Sequence, residues 1–514
     1  MKTASKMTIS LVMLLAVASI TVQASFAEDM IFTGTFESTY WNNDPDDWKP
    51  GMDIYEGPYS SFENQLMLHL GWKNWYAEAR LRNMKYKDGI HYDYRSREYE
   101  SDIELFKYKL GYQHSNFEVL AGDFYQYLGR GMVLYVQEDK DLNLDRTIQG
   151  GQVQVNINRF KAQVFGGKIR WYNFLDDTAS MTYVERKISD EVFGAGLYYK
   201  VYKEITLGAN YVTGTLYAYR RNQLMDEDFQ TGSINLEAMD LFDGKIDLYG
   251  EYARLSWDSD APFGAETEEG TAIYGSLTAY LNDFTVLVEY KDYDYWNYRY
   301  GRPPTADRED EMSELDDTKG PRIKVDYFIP STSTLLYVSA SQFNNQGHPD
   351  YLGNVTRNKN DHYYLGVEQN WCDLHVHMTY GIKEYANKDE KHRRATSDIV
   401  YSFLTRHSLN LYYEYKFTSV PGTDKIEHKS YLTYSFSPWF AITGHYNQHT
   451  FKTIRSGSQN TDSWWAGELT VTPIDALSIN LLYGGLPTGL ICSGGQCRIL
   501  PEFEGVQASL TYRF

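Results

Sequence analysis

Apolar and polar positions alternate one by one along almost the whole chain. The end shows it best. Val506, Ala508, Leu510, Tyr512 and Phe514 share one face, while Gln507, Ser509, Thr511 and Arg513 share the other. A period of two is that of a β-strand, whose successive side chains point to opposite faces. One apolar and one polar face over about ten residues fit a strand of a transmembrane barrel. They also fit a sandwich strand with one buried face.

The connections separate these readings. Leu66, Leu68, Leu70 and Trp72 end one strand, and Lys73-Asn74 turns into the next, Tyr76 to Tyr86. A long polar connection, Lys87 to Asp102, follows. Phe106, Tyr108, Leu110 and Tyr112 then lead to a turn at His114-Ser115-Asn116. Short turns recur at Asn158-Arg159, Tyr202-Lys203, Asp243-Gly244, Asn282-Asp283, Pro330-Ser331, Asn370-Trp371, Thr405-Arg406, Ser437-Pro438 and Pro473-Ile474. Between them lie longer loops rich in Asp, Gly, Asn and Pro. Asp-Gly is a strong hairpin signal. The pattern predicts an all-β chain of about 24 strands, within a range of about 22 to 26. They form a single large antiparallel transmembrane β-barrel with both chain ends on the short-turn, periplasmic side. A soluble sandwich has no reason to sort its turns by length. Lipid, in contrast, requires every backbone group to be paired, which strands achieve only in a closed barrel.

The first residues define an export signal. Lys2 and Lys6 precede an apolar run, Met7 to Val22, and small residues Ser25 and Ala27 bracket Phe26. This predicts a signal peptide over residues 1–27, cleaved after Ala27, and a barrel domain over 28–514. Removing the two lysines takes the net charge from −20 to −22. So acidic a chain argues against a nucleic-acid partner. No other apolar run reaches the roughly 18 residues of a spanning helix. No linker or shift in composition divides the remainder.

The terminal Phe514, with Tyr512 two residues before it, resembles the end of a Gram-negative outer-membrane β-barrel. The resemblance spans the chain after the signal peptide and is one of architecture. It implies the outer-membrane lipid bilayer as surroundings. It also implies that the barrel-assembly machinery reads the last strand as a signal. The loop Cys-Ser-Gly-Gly-Gln-Cys-Arg, ahead of the final Leu-Thr-Tyr-Arg-Phe, is similar to an uncharacterised family of such barrels. That likeness implies no particular activity.

Candidate chemistry lies on the polar face. Glu78, Arg80 and Arg82 alternate with Ala77, Ala79 and Leu81; Lys107 and Lys109 alternate with Phe106, Tyr108 and Leu110. Arg322, Lys324 and Asp326 alternate with Ile323, Val325 and Tyr327. An Arg or Lys facing lipid costs about 2–4 kcal/mol at the midplane, so these residues are expected to face the lumen. There they either line a pore and set ion preference, or pair across strands and solvate the interior. His375 and His377 share one face near Cys372. Imidazoles at that spacing can share a metal, but without further ligands a hydrated pair is the expectation. Asp139, Asp141, Asn143 and Asp145 resemble the start of a calcium loop. Leu144 and Gly150 stand where that loop needs Gly and Glu, so a plain acidic loop is expected. The stretch Ala306 to Gly320 is similarly acidic and expected to be solvated. No nucleophile elbow, zinc-protease helix or phosphate loop is present, and neither a cofactor nor an enzymatic activity is expected.

A barrel of about 24 strands left open would leak, since about 16–18 strands already enclose an aqueous channel. The first strand is predicted to start near Met30, leaving no room for an N-terminal plug of the kind found in energy-coupled transporters. Infolded loops or a second protein must then narrow the lumen. One segment, "GRGMVLYVQEDKDLNLDRTIQGG", is apolar from Met132 to Val136 where an extracellular loop should be. The expectation is a strand that projects beyond the bilayer, with folding back into the mouth as the alternative. The function predicted is a porin-like channel for small or medium solutes, constricted by its loops. Two other functions are a barrel that sheathes or anchors a periplasmic or extracellular protein (an electron carrier or a secreted protein) and a membrane enzyme.

Cys492 and Cys497 fall on the last extracellular loop. Zinc needs about four ligands, and a redox C-x-x-C has two intervening residues where this loop has four. The export route is oxidising, so a disulfide is expected, worth about 2 kcal/mol for so short a loop. Cys372 is left as a free thiol near the periplasmic rim.

Overall fold

Consecutive strands pair antiparallel from Met30–Asn43 to Phe503–Arg513, and these two pair with each other to close the ring. The computed structural model describes residues 30–43, 59–88, 97–100, 102–139, 144–171, 189–220, 223–258, 269–296, 299–305, 318–345, 359–386, 388–454, 457–487, 489–493, 496–500 and 502–514. The predicted signal peptide and most of the acidic stretch, 306–317, lie outside the described residues. The ring holds 24 strands, as the turn pattern predicts. Arg97–Glu100 and Glu138–Asp139 belong to the same sheet but only extend a neighbouring strand.

Closure involves the last residue. Gly34 and Phe514 exchange both backbone hydrogen bonds, at 2.9 and 3.0 Å. A Cβ at Gly34 would lie 2.2 Å from the Phe514 ring, so only glycine lets that ring cross the seam. Tyr512 stands opposite Phe36, and both pack with Leu66, Leu68 and Leu510 on the outer face.

The eleven turns that the sequence marks as short all fall on one rim. Two are displaced by two residues from their predicted places. The chain turns at Cys372-Asp373 and Asp475-Ala476, where Asn370-Trp371 and Pro473-Ile474 were expected. An aspartate stands in each turn, while Trp371 and Ile474 complete their strands on the exposed face. Trp371 joins Trp72, Trp75, Phe160, Phe284 and Trp439 in a girdle of exposed aromatic residues at this rim. Rings with a polar edge are suited to the level of lipid headgroups. On the opposite rim most connections are longer. Three are tight: Arg220 to Gln223, Tyr385 to Glu390 and Val420 to Thr423.

Between the rims the outer face is apolar. Val153, Val164, Phe193, Ile234, Ile273, Ile323, Val338, Leu365, Leu432 and Ile442 are each between 41 and 66% exposed. A continuous apolar surface of this extent is unstable against water and natural against lipid. Among the described residues no helix is long and apolar enough to cross a membrane; the strands make the crossing.

Candidate functional site

The lumen is obstructed from one side. After Phe117–Phe124 the chain turns inward, and Gln126–Leu128 pairs with Leu134–Val136 as a small hairpin. Leu128, Met132, Val133, Leu134 and Val136 are all 0% exposed. The projecting strand expected for Met132–Val136 is therefore corrected: the segment folds back into the barrel. Burying each large apolar side chain is worth about 1.5–3 kcal/mol, which a strand standing in water would forgo. The barrel wall supplies the matching surface. Ile148, Phe165, Val192, Val212, Leu216 and Leu255 point inward and join the hairpin in one apolar cluster. That signal was present in the sequence. Strands from Leu144–Ile157 to Phe284–Asp294 carry apolar residues on both faces toward their outer ends.

A second inward segment follows Phe284–Asp294 and lies on the first. Trp296 and Tyr300 enter the same cluster. The Tyr135 N–H donates to the Tyr300 carbonyl at 2.7 Å, and the Arg302 N–H donates to the Gly131 carbonyl at 2.6 Å. The Arg302 guanidinium reaches Asp139 at 3.3 Å and covers the Tyr135 ring at 4.6 Å. Both segments are tied to the wall. The Arg130 N–H donates to Glu251 at 2.9 Å, and the Tyr300 hydroxyl donates to Asp190 at 2.5 Å. Arg299 also reaches Asp190, at 2.8 Å. Gly131 has φ +82°, and a Cβ there would stand 2.3 Å from the Arg302 carbonyl oxygen. The hairpin tip thus needs glycine twice over, for its backbone conformation and for close approach.

All eight charged candidates project into the lumen, where they meet partners. Lys109 lies 2.8 Å from Glu78. Arg80 stands between Asp145 at 3.6 Å and Glu138 at 3.8 Å. Lys107 donates to Asp145 at 2.5 Å and to the Tyr125 hydroxyl at 3.0 Å. Arg82 pairs with Glu104 at 3.0 Å and covers the Phe106 ring at 3.7 Å. Farther round, Arg322 bridges Glu289 at 3.2 Å and the Tyr364 hydroxyl at 2.7 Å. Lys324 pairs with Asp326 at 2.8 Å. Each is paired across or along its strand, so their fields largely cancel beyond a few ångströms.

The histidines have separate partners. His375 contacts Asn370 at 2.7 Å, and His377 contacts the Tyr337 hydroxyl at 2.8 Å. Among the described residues no group of three or more His, Cys, Asp or Glu is placed to hold a metal. Of the calcium-like series, Asp139 meets Arg302 and Asp145 meets Lys107, while Asp141 and Asn143 lie outside the described residues. Cys372 is exposed and free in its turn. In the hairpin of Gly489–Ser493 and Gln496–Leu500, the backbone register sets Cys492 directly opposite Cys497.

Across the barrel no segment among the described residues packs on the wall. No residue from Lys388 to Tyr446 is buried, a span that includes the strands Glu390–Phe403, His407–Val420 and Thr423–Phe436. One face of these strands meets lipid and the other faces the lumen. Arg394 and Glu414 pair here at 3.1 Å, and His445 and Glu468 at 3.3 Å. These inward residues were not among the sequence candidates, although the alternation of Tyr412, Glu414 and Lys416 with Leu411, Tyr413 and Tyr415 marks them.

A closed ring of strands with an apolar belt, an aromatic rim and short turns at that rim has the architecture of outer-membrane β-barrels. The chain belongs to a family of unknown function (DUF6029), whose model matches residues 4–316 and 328–514. Among solved structures it is similar to the FrpB iron transporter from Neisseria meningitidis, with TM-score 0.50, 9% identity, and coverage of 95% of this chain and 83% of that one. It is also similar to the translocation pore of the P pilus usher PapC (TM-score 0.45, 8% identity, 94% and 99% covered). A third is Pseudomonas aeruginosa OpdK with vanillate (TM-score 0.43, 14% identity, 77% and 100% covered). At such identities the likeness concerns the fold. No curated protein matches the chain by sequence.

Proposed function

We propose that the protein is a porin-like channel of a Gram-negative outer membrane, passing small or medium polar solutes through a lumen narrowed by its own loops. Export through a signal peptide cleaved after Ala27 and recognition of the Tyr512–Phe514 end by the barrel-assembly machinery belong to this proposal. It involves neither catalysis nor a cofactor. The observation that carries it is the one-sided obstruction. The hairpin and its companion segment cover the wall from Leu144–Ile157 to Phe284–Asp294, and among the described residues nothing is packed over the wall from Glu390 to Phe436. The seated hairpin narrows the tube, and the opposite wall leaves a wet passage beside it.

The test is ion conductance in planar bilayers, with folding verified by the usual heat-dependent shift on a gel. The expected result is a steady, ohmic current well below that of an unobstructed tube. Silence from well-folded protein would overturn the proposal.

A further inference from the structure

Four cations gather on the lumen face of three neighbouring strands, Glu390–Phe403, His407–Val420 and Thr423–Phe436. Arg394, Lys416, Lys425 and Lys429 project inward, because the other face of these strands holds the exposed Tyr401, Tyr413 and Leu432. Two carboxylates, Glu414 and Glu427, lie between them.

Each carboxylate serves more than one cation. Arg394 holds Glu414 at 3.1 and 3.2 Å, and Lys429 stands directly opposite it across the strands. Lys425 holds Glu427 at 2.8 Å, while His449 lies 3.5 Å and Lys416 4.0 Å from it. Arg394 and Lys416 are themselves direct cross-strand partners. Like charges set directly opposite destabilise a sheet. The inward carboxylates that border the patch have basic neighbours of their own. Glu390 contacts His392 at 2.7 Å, Asp398 stands opposite His377, and Asp462 stands opposite His449. Four cations against two carboxylates thus leave a local positive excess, in a chain whose net charge is −20.

A solute in the lumen can reach this excess. The Arg394, Lys416 and Lys425 side chains are 21, 40 and 31% exposed. Low-dielectric walls concentrate the field of such a patch. Neighbouring strands are about 5 Å apart, so an anion with several charged groups can engage more than one of them at once.

We propose that this patch is a binding step for small multivalent oxyanions that carry carboxylate or phosphate groups. One such group bridges Arg394 and Lys416, and another reaches Lys429. This rests on the channel reading above and adds the charge of the solute that the channel favours.

The full-length protein in planar bilayers provides the test, with citrate and pyrophosphate as probes and glucose as the neutral control. At least one of the two anions should block the potassium chloride current reversibly and far more tightly than glucose, and the tighter of the two names the preferred group. K416Q/K429Q leaves Arg394–Glu414 and Lys425–Glu427 as balanced pairs. It should weaken the block about tenfold, the size of effect one charge-assisted hydrogen bond supplies. Under a salt gradient it should also move the zero-current potential toward that of potassium. Three results would overturn the inference: block by both anions no tighter than by glucose, undiminished block in K416Q/K429Q, or an unmoved zero-current potential in that variant. If the double variant does not fold, K429Q alone and the comparison of anions with glucose on the unaltered protein decide. An absence of ion current from folded protein would remove the channel reading itself, and this inference with it.

Discussion

The guanidinium of Arg302 lies 3.3 Å from the carboxylate of Asp139 inside the barrel, although the two residues are 163 positions apart in sequence. This contact joins two inward segments that leave the wall at different strands. Both segments share one apolar cluster, and the seat depends on a glycine tip at Gly131.

Gly131→Val should unseat the hairpin, because its Cβ would meet the Arg302 carbonyl and its backbone needs positive φ. The barrel strands pair independently of the hairpin, so the ring should still form. Single-channel conductance should rise. An unchanged conductance in a folded variant would show that the hairpin does not limit the passage.

Lys107 and Asp145 form a buried pair, with side chains 9% and 5% exposed. Removing one partner strands the other charge, at a cost of about 3 kcal/mol. Arg80, 3.6 Å from Asp145, offsets part of this. Lys107→Met should therefore lower the denaturant midpoint, and K107M/D145N should recover much of the loss. Unfolding in detergent, followed by tryptophan fluorescence, measures both. A single variant as stable as the original would refute the pairing.

Cys372 is exposed in a turn on the aromatic, short-turn rim. That rim faces the periplasm in this architecture. A membrane-impermeant maleimide should leave Cys372 unlabelled on intact cells and label it once the outer membrane is permeabilised. Labelling on intact cells would invert the orientation.

Cys492 and Cys497 are direct cross-strand neighbours in backbone register. One disulfide between them is expected in protein taken from the outer membrane. Mass spectrometry without reductant should find the two linked in one peptide, and recovery of both as free thiols would reject the bond.

Much of the fold was legible because its determinants are local. Alternation such as Val506 to Phe514 defines a strand by itself, and turn residues such as Lys73-Asn74 or Asn282-Asp283 end strands wherever they occur. The inward direction of Arg80, Lys107 and Arg322 follows from the same alternation, since lipid excludes them from the other face. Local signals erred by two residues at Cys372-Asp373 and Asp475-Ala476, where Trp371 and Ile474 prefer the membrane edge to a turn.

By itself, then, the sequence determined the strands, their order and which face of each meets lipid, because a period of two and a turn are properties of neighbouring residues. Only the tertiary structure decided what fills the tube. Met132 to Val136 could project or fold back. The choice depended on Ile148, Val212 and Leu255, which come from separate strands and form one apolar surface only when the ring closes. The same closure selected which charges pair, such as Lys107 with Asp145. Burial and pairing are decided between distant residues, so no local pattern could encode them.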